Sequence, residues 1–417
     1  MSKLMNEAEQ EAKPSESFFK GNAAPIAFSA AIKSLGGFVG VYLPYYFVQI
    51  GGNTPTLGLL TFAAALVQLL FLTIGGFIAD NYGRRRIIVS VAFFGVIFPI
   101  LYALVQDWRM FGLLTVFAAT AAISSPATRA TVVDSIPPEM RTTGIAALQV
   151  VSMLPSIISP TIGGWLIQQY GLENGFRMAC IYAAVFAFVS AFPLLVLLRE
   201  TLKSKVRIHA RADSDFREAV LGQVKPSRLM LSRNLIFLLS CYGLVAFANG
   251  AVGQYYIFYA LTVVGLTAFD WGAVVSLQLL LTCILRIPGG WFSDKFGKKN
   301  AMTVSLIATI PMILVFTFSQ SFIQVVVSAL LLVAAGIYYA PAHEALQADL
   351  TPRPFRGRVN AVWEMSNYFA AGLGALAGGL AFHALSPVVP FYIFAVAELV
   401  AAILLIGKVK EPEAKEV

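Results

Sequence analysis

The sequence predicts an all-α polytopic membrane protein, with twelve transmembrane helices in two pseudo-symmetric six-helix bundles. Three observations predict it. Only 12% of the 417 residues are charged and 58% are hydrophobic, whereas soluble domains carry about 25% charged residues. Apolar runs of roughly 20 residues, the length a helix needs to cross a bilayer, recur along the chain. The ten-residue alternating segments of a β-barrel are absent from the sequence. The third observation is a duplication. GGFIADNYGRRR at 75–86 returns as GGWFSDKFGKK at 289–299, with Gly76, Asp80 and Gly83 matching Gly290, Asp294 and Gly297, each 214 positions later.

In chain order, residues 1–22 read as a polar cytoplasmic tail without the apolar core of a cleavable signal peptide. The spans fall at about 24–50, 56–80, 85–105, 109–132, 141–168, 176–198, 235–261, 269–292, 300–318, 322–347, 356–384 and 387–407. Span one carries Ser29, Lys33, Gly37, Gly40 and Pro44 at helical spacing. Span two runs into Asp80, the Asn81–Gly83 turn and three arginines. Span four ends on Pro126, Arg129 and Asp134, before Pro137-Pro138 and Arg141. Span five carries Gln149, Ser152, Ser156 and Ser159-Pro160, then Gly163-Gly164. Residues 199–233 hold nine Lys or Arg and read as a cytoplasmic linker, with an amphipathic stretch at 215–224 suited to a membrane surface. The domains expected are thus a tail (1–22), an N-terminal bundle (23–198), the linker (199–233), a C-terminal bundle (234–408) and a tail (409–417).

The second half repeats the first. Gly37, Gly40, Tyr42 and Tyr46 match Gly250, Gly253, Tyr255 and Tyr259, and Pro126, Asp134, Arg141 and Gly163-Gly164 match Pro341, Asp349, Arg356 and Gly378-Gly379. Parallel repeats of this kind predict a pseudo-two-fold axis along the membrane normal and a central cavity. Of the 30 Lys and Arg, all but Arg109, Arg177 and Lys33 fall on segments or membrane edges assigned to the inside, which sets both termini in the cytoplasm. This placement explains the net charge of +8 without a nucleic-acid partner. Cys180, Cys241 and Cys283 all lie in spans, so free thiols are expected and no disulfide framework.

The duplicated loop G-x-x-x-D-x-x-G-[RK]-[RK] resembles that of the major facilitator superfamily, over essentially the full chain. The stretch Pro160-Thr161-Ile162-Gly163-Gly164 is similar to the P-x-x-G-G tail of the antiporter motif in its drug–proton branch. Pro155 and Ser159 stand where that motif prefers glycine, and Leu114 and Thr115 stand near the fourth-span arginine of many proton-coupled members. The resemblance implies a conformational latch: Asp80 meets the N-terminus of span eleven near Arg356, Arg84 bridges Asp80 and Asp134, and Glu200 closes the network, with Arg141 as its candidate partner. Asp294, Lys298 and Asp349 form the matching set. Independently, an aspartate at a helix end inside a membrane needs a partner to offset its desolvation. Fixing topology is the plainer alternative role for all these charges.

Other intramembrane polar groups are candidates for binding substrate or protons. Glu364 lies about 12 Å along span eleven, with Asn360 and Asn367 on its face. Gln149 and Ser152 face it from span five. A structural carboxyl held by those amides is the alternative. His343 and Glu344 lie near the inner end of span ten, with Arg129 as the repeat partner of Glu344, where a structural ion pair or snorkelling is the plainer account. Lys33 could attract an anion, pair with Glu364, or snorkel. Arg286 is expected in the loop network, and Glu398 in span twelve has no assigned role. Tyr42, Tyr46, Tyr255, Tyr256, Tyr259, Tyr338 and Tyr339 line the cavity or sit at the interface. Gly297-Lys298-Lys299 lacks P-loop spacing, and no metal cluster, cofactor motif or catalytic constellation can be assembled, so no enzyme is expected.

Together these readings lead to a secondary transporter of the plasma membrane working by alternating access. Its partners are the bilayer, a small-molecule substrate and protons; as a monomer it would expel amphiphilic or drug-like molecules. The alternatives are a proton-coupled uptake permease for a sugar, small polar metabolite or organic anion, and a non-transporting membrane sensor.

Overall fold

The computed structural model describes residues 21–136, 141–201, 232–352 and 356–411. The two tails beyond these bounds, the Pro137-Pro138 break and the amphipathic stretch at 215–224 lie outside them. Eleven helical spans among the described residues are long and apolar enough to cross a bilayer. The helix Arg356–Ala384, at 29 residues, is also long enough at 1.5 Å per residue and completes twelve.

Among the described residues six spans are interrupted, each at an identifiable place. Span one (Ala23–Gln49) breaks between Ser34 and Phe38, around Gly36 and Gly37. Span three (Arg84–Leu104) breaks at Gly95. Span four (Trp108–Ser135) tightens over Ala119–Ser124. Span five (Ala147–Tyr170) tightens over Leu154–Ile157, at Pro155. Span seven (Arg233–Val263) breaks after Gly253, and span ten (Phe322–Leu350) after Gly336. Broken helix inside a membrane must have its freed backbone groups satisfied. In span one Ser159 does this: its Oγ accepts from the Phe38 amide at 2.8 Å and donates to the Leu35 carbonyl at 3.0 Å. The serine that stands in place of a motif glycine therefore stitches span five to the break in span one.

The buried side chains show how the two six-helix halves meet. At the end of the molecule away from the Gly83 and Gly297 loops, one continuous core takes in both halves, including Tyr42, Tyr46 and Phe47 with Tyr255, Phe258 and Tyr259. Towards the loop end the core separates into clusters that each stay within one half, such as Ala79, Ile88, Ala127 and Leu194 in the first and Leu238, Met302, Leu346 and Leu405 in the second. The halves are therefore sealed together at the far end. Outward-facing Leu, Ile, Val and Phe, such as Val196 at 72% exposed, form the lipid-facing surface.

Two seams make the far-end seal. Spans two (Thr54–Ala79) and eleven cross at Gly58 and Gly379, and spans five and eight (Ala268–Phe296) cross at Gly164 and Gly272. A β-carbon on any of the four would overlap a backbone oxygen of the opposite half, the close approach that glycine permits between membrane helices. A buried tyrosine hydroxyl sits at each seam. Tyr42 donates towards the carbonyls of Pro160 (3.0 Å) and Ala268 (2.8 Å). Tyr255, its repeat counterpart, donates to Ala375 at 2.7 Å.

Candidate functional site: a central cavity and its loop-end clasps

The loop-end polar network is built twice. Gly83 and Gly297 both hold positive φ, 99° and 89°, and each is followed at once by a helix whose first amides lack internal partners. A carboxylate fills the need in both halves. Glu200 accepts from the amides of Arg84 and Arg85, both at 3.2 Å. Glu411 accepts from those of Lys298 (3.0 Å) and Lys299 (3.4 Å). The negative charge sits at the positive end of the helix dipole. An asparagine brackets the preceding residue in each half: Asn22 bonds both the N–H and the C=O of Arg199 at 2.7 and 2.8 Å, and Asn234 does the same for Lys410 at 2.8 and 2.6 Å. Arg85 and Lys299 reach the carbonyls of Leu198 and Ile406. Arg84 Nη1 meets Asp134 at 2.5 Å, and Lys298 pairs with Asp349.

Glu200 closes the network through backbone amides, and its expected contact with Arg141 falls on a side chain outside the described residues. The side chains of Asp80, Arg141, Asp294 and Arg356 lie outside the described residues, as does the expected contact between Asp80 and span eleven. Gly76 and Gly290 leave open space where a β-carbon would stand. Glu411 was missed in the sequence because it follows the last apolar run. The signal was present: Lys410-Glu411 repeats Arg199-Glu200 at an offset of 211. Glu411→Ala should remove one helix cap, costing about 1 kcal/mol. A thermal unfolding midpoint in detergent lower by a few degrees would show it, and an unchanged midpoint would count against the cap.

Between the halves lie two adjoining chambers that share Tyr242 and Tyr339. The smaller, about 380 Å³, is polar and is lined by Arg129, His343, Glu344, Gln347, Asn360 and Glu364, among others. The larger, about 640 Å³, is mostly apolar and carries four amides, Gln68, Asn249, Gln254 and Asn367. An ion pair crosses the smaller one from half to half: Arg129 of span four (Trp108–Ser135) holds Glu364 of span eleven. Glu344, the repeat equivalent of Arg129, makes no ion pair among the described residues. A second bridge runs from Arg286 Nη2 to Gln149 Oε1 at 2.5 Å, joining spans eight and five. Arg286 thus belongs to the interface between halves and not to the loop network.

The remaining candidates divide. Asn360 accepts from Gln347 at 2.8 Å in the polar chamber, and Asn367 lines the apolar one. Ser152 donates to the carbonyl of Leu148 in its own helix. Lys33 opens onto a separate cavity of about 190 Å³ inside the first half, with Ser29, Ser124, Thr128 and Ser190, and is not paired with Glu364. Three tyrosines proposed as cavity residues lie in the core instead. Tyr46 stacks on Phe176 at 4.1 Å, and Tyr256 and Tyr259 pack against Phe316 and Phe391. Tyr256 and Tyr259 follow directly on the break in span seven. Pro160, Gly163 and Gly164 stand at the far-end seam, where Gly163 packs on Phe38 and Tyr42. Glu398 is 3% exposed, with Thr309 Oγ1 at 3.4 Å.

Twelve spans, two related halves and a central cavity closed at one end define a membrane transporter. The model of the Major Facilitator Superfamily matches residues 26–277 and 250–417, and the chain belongs to that family. It is similar to "Multidrug resistance protein MdtG" of Citrobacter koseri, 23% identical over 337 residues, covering 76% of this chain and 77% of the relative. It is also similar to "Multidrug resistance protein 2" of Bacillus subtilis, at 21% over 336 residues, 79% of this chain and 81% of the relative. Among solved structures, the nucleoside transporter NupG superposes with a TM-score of 0.69 at 14% identity, covering 93% of this chain and 98% of that one. A peptide transporter of the POT family bound to sulfate gives 0.71 at 17%, covering 92% and 93%. These structural likenesses speak to the fold.

Proposed function

We propose that the protein is a plasma-membrane exporter that expels amphiphilic small molecules in exchange for protons, acting as a monomer by alternating access. The observation that carries the reading is the Arg129–Glu364 pair, which ties the two halves across a polar chamber beside a larger apolar one. The multidrug-resistance names of its relatives support the efflux direction. The basic loops set the Gly83 and Gly297 end, and both termini, in the cytoplasm, so the conformation described is closed to the outside and open to the cytoplasmic pool of substrate.

In this reading substrate enters from the cytoplasm and lodges its apolar body in the larger chamber. The halves then rock, and the outer seams part. A proton arriving from outside neutralises the Glu364 carboxylate, which ends its ion pair with Arg129 and removes the charge that must otherwise be carried through the membrane. The pair re-forms when the proton leaves to the cytoplasm. A ligand shifts such an equilibrium only by its differential affinity for the two states, and a bridge between halves supplies that difference directly. Arg84–Asp134, Lys298–Asp349 and the two glutamate caps keep each half rigid at its cytoplasmic end. Lys33 stands in its own cavity and not in the chambers, so it is not placed to serve as the anchor of the anion-uptake alternative.

The test is purified protein in proteoliposomes with an imposed pH gradient and a panel of ethidium, a sugar and an organic anion. Ethidium moving against the proton flux is the expected result. Accumulation of the sugar or the anion in the same direction as protons would overturn the efflux reading.

A further inference from the structure

We propose that His343 is a substrate-reading hydrogen-bond donor of the polar chamber, locked neutral with its proton on Nδ1. We further infer that the transported molecule carries a hydrogen-bond acceptor on a flat apolar body. The inference rests on the transport reading above and narrows its substrate class.

The argument begins with donors and acceptors. Trp363 Nε1 lies 2.8 Å from His343 Nε2. An indole N–H can only donate, so Nε2 must offer its lone pair, and a neutral imidazole then carries its hydrogen on Nδ1. Protonating Nε2 would require breaking this bond inside a site where His343 is 3% exposed. The ring is fixed as well as its tautomer. It lies parallel to Tyr242 (4.4 Å between centroids, 9°) and to Tyr339 (5.7 Å, 8°). Three aromatic residues from spans seven, ten and eleven therefore hold one imidazole in place.

Nδ1 is left over. It bonds to nothing among the described residues, yet it is not one of the side-chain atoms sealed from solvent without a partner. It therefore opens onto the space His343 lines, the polar chamber. The charged and titratable groups around that space are Arg129 of span four, Tyr242 of span seven, Tyr339 and Glu344 of span ten, and Glu364 of span eleven. A donor that waits in such a chamber bonds water until a substrate oxygen or nitrogen replaces it. Tyr242 and Tyr339 also line the apolar chamber, so a flat apolar body lying there would bring an acceptor at its edge towards His343. The proton that is exchanged falls to Glu364, and His343 discriminates between cargoes.

Two experiments test this. The first is ¹⁵N NMR of histidine-labelled protein in nanodiscs, with His209 and His383 replaced so that one signal remains. The expected result is a neutral Nδ1–H imidazole throughout the range from about pH 5 to 8 where an ordinary histidine titrates. An imidazolium within that range, or an Nε2–H tautomer, would overturn the assignment whether or not ethidium is transported. The second measures inhibition of ethidium efflux by xanthone, which has a ring carbonyl, and by xanthene, which has a methylene there. Xanthone should inhibit roughly tenfold more strongly, the worth of one hydrogen bond. His343→Gln should erase that preference, while His343→Asn, whose amide stands nearer the Nδ1 position, should recover most of it. Equal inhibition by both compounds in the unaltered protein, with the tautomer as expected, would sink the substrate class. Absence of any ethidium efflux would instead defeat the exporter reading and leave the NMR result to judge His343.

Discussion

Glu364→Gln should abolish proton-driven accumulation while leaving downhill movement of the same substrate in place. The reason is local. Glutamine keeps the shape of the side chain but cannot alternate between charged and neutral forms, and it cannot hold Arg129 as an ion pair. Arg129 is 66% exposed and Glu364 24%, so solvent screening keeps the pair near the low end of ion-pair energies, about 1 kcal/mol. That is still roughly fivefold in the balance between the two states of the halves. The loss of coupling is larger, because the substituted protein has no proton to exchange. Proteoliposomes report it directly: uphill ethidium transport should fall at least about a hundredfold, the cost of losing a group that must change charge in each cycle. Arg129→Gln should weaken the bridge but keep the titrating group, and so retain part of the coupling. Full uphill transport by Glu364→Gln would remove Glu364 from the mechanism.

Much of this was legible in the sequence, and the misses share a cause. The twelve spans could be read because helix length and hydropathy are local properties. The duplicated loops could be read because an aspartate, a positive-φ glycine and adjacent cations at the end of an apolar run make an unusual local pattern. What could not be read was which charge meets which. Arg129 and Glu364 are 235 positions apart, and repeat symmetry relates Arg129 to Glu344 as an equivalent position without naming a partner for either. The bonds from Glu200 to the amides of Arg84 and Arg85 could not be read, because sequence patterns display side chains and not backbone groups. The tyrosines Tyr256 and Tyr259 were misplaced for a third reason. Helical spacing assigns faces only while the helix is unbroken, and span seven breaks just before Tyr256 and Tyr259, whereas span one breaks between Ser34 and Phe38, well before Tyr46. His343 was named as a candidate, but its tautomer depends on Trp363, twenty positions away.

The largest effect should come from the glycine seams. Gly164→Val and Gly379→Val each force a branched side chain into a backbone oxygen of the opposite half, Ala268 and Thr54 respectively. Nothing flexible stands there to yield, and the tyrosine hydroxyls of Tyr42 and Tyr255 press on the same points, both at 2.6 Å from the β-carbon position. Overpacking of this kind costs about 1–3 kcal/mol per site, or roughly tenfold to a hundredfold in the population of the state closed at the far end. The two seams join different pairs of helices, so the double substitution should approach the sum. Parting the two halves at this end would relieve both overlaps, so the protein should fold and insert, yet dwell with its far end apart. A cysteine placed near the far end of span eight should then label faster with a membrane-impermeant maleimide, and transport should fall with the rise in labelling. Gly243, where a β-carbon meets nothing within 4 Å and which lines neither chamber, supplies the control: Gly243→Ala should change neither measurement. Unchanged labelling in both seam variants would mean that the crossings of spans two with eleven and five with eight do not decide which end is shut.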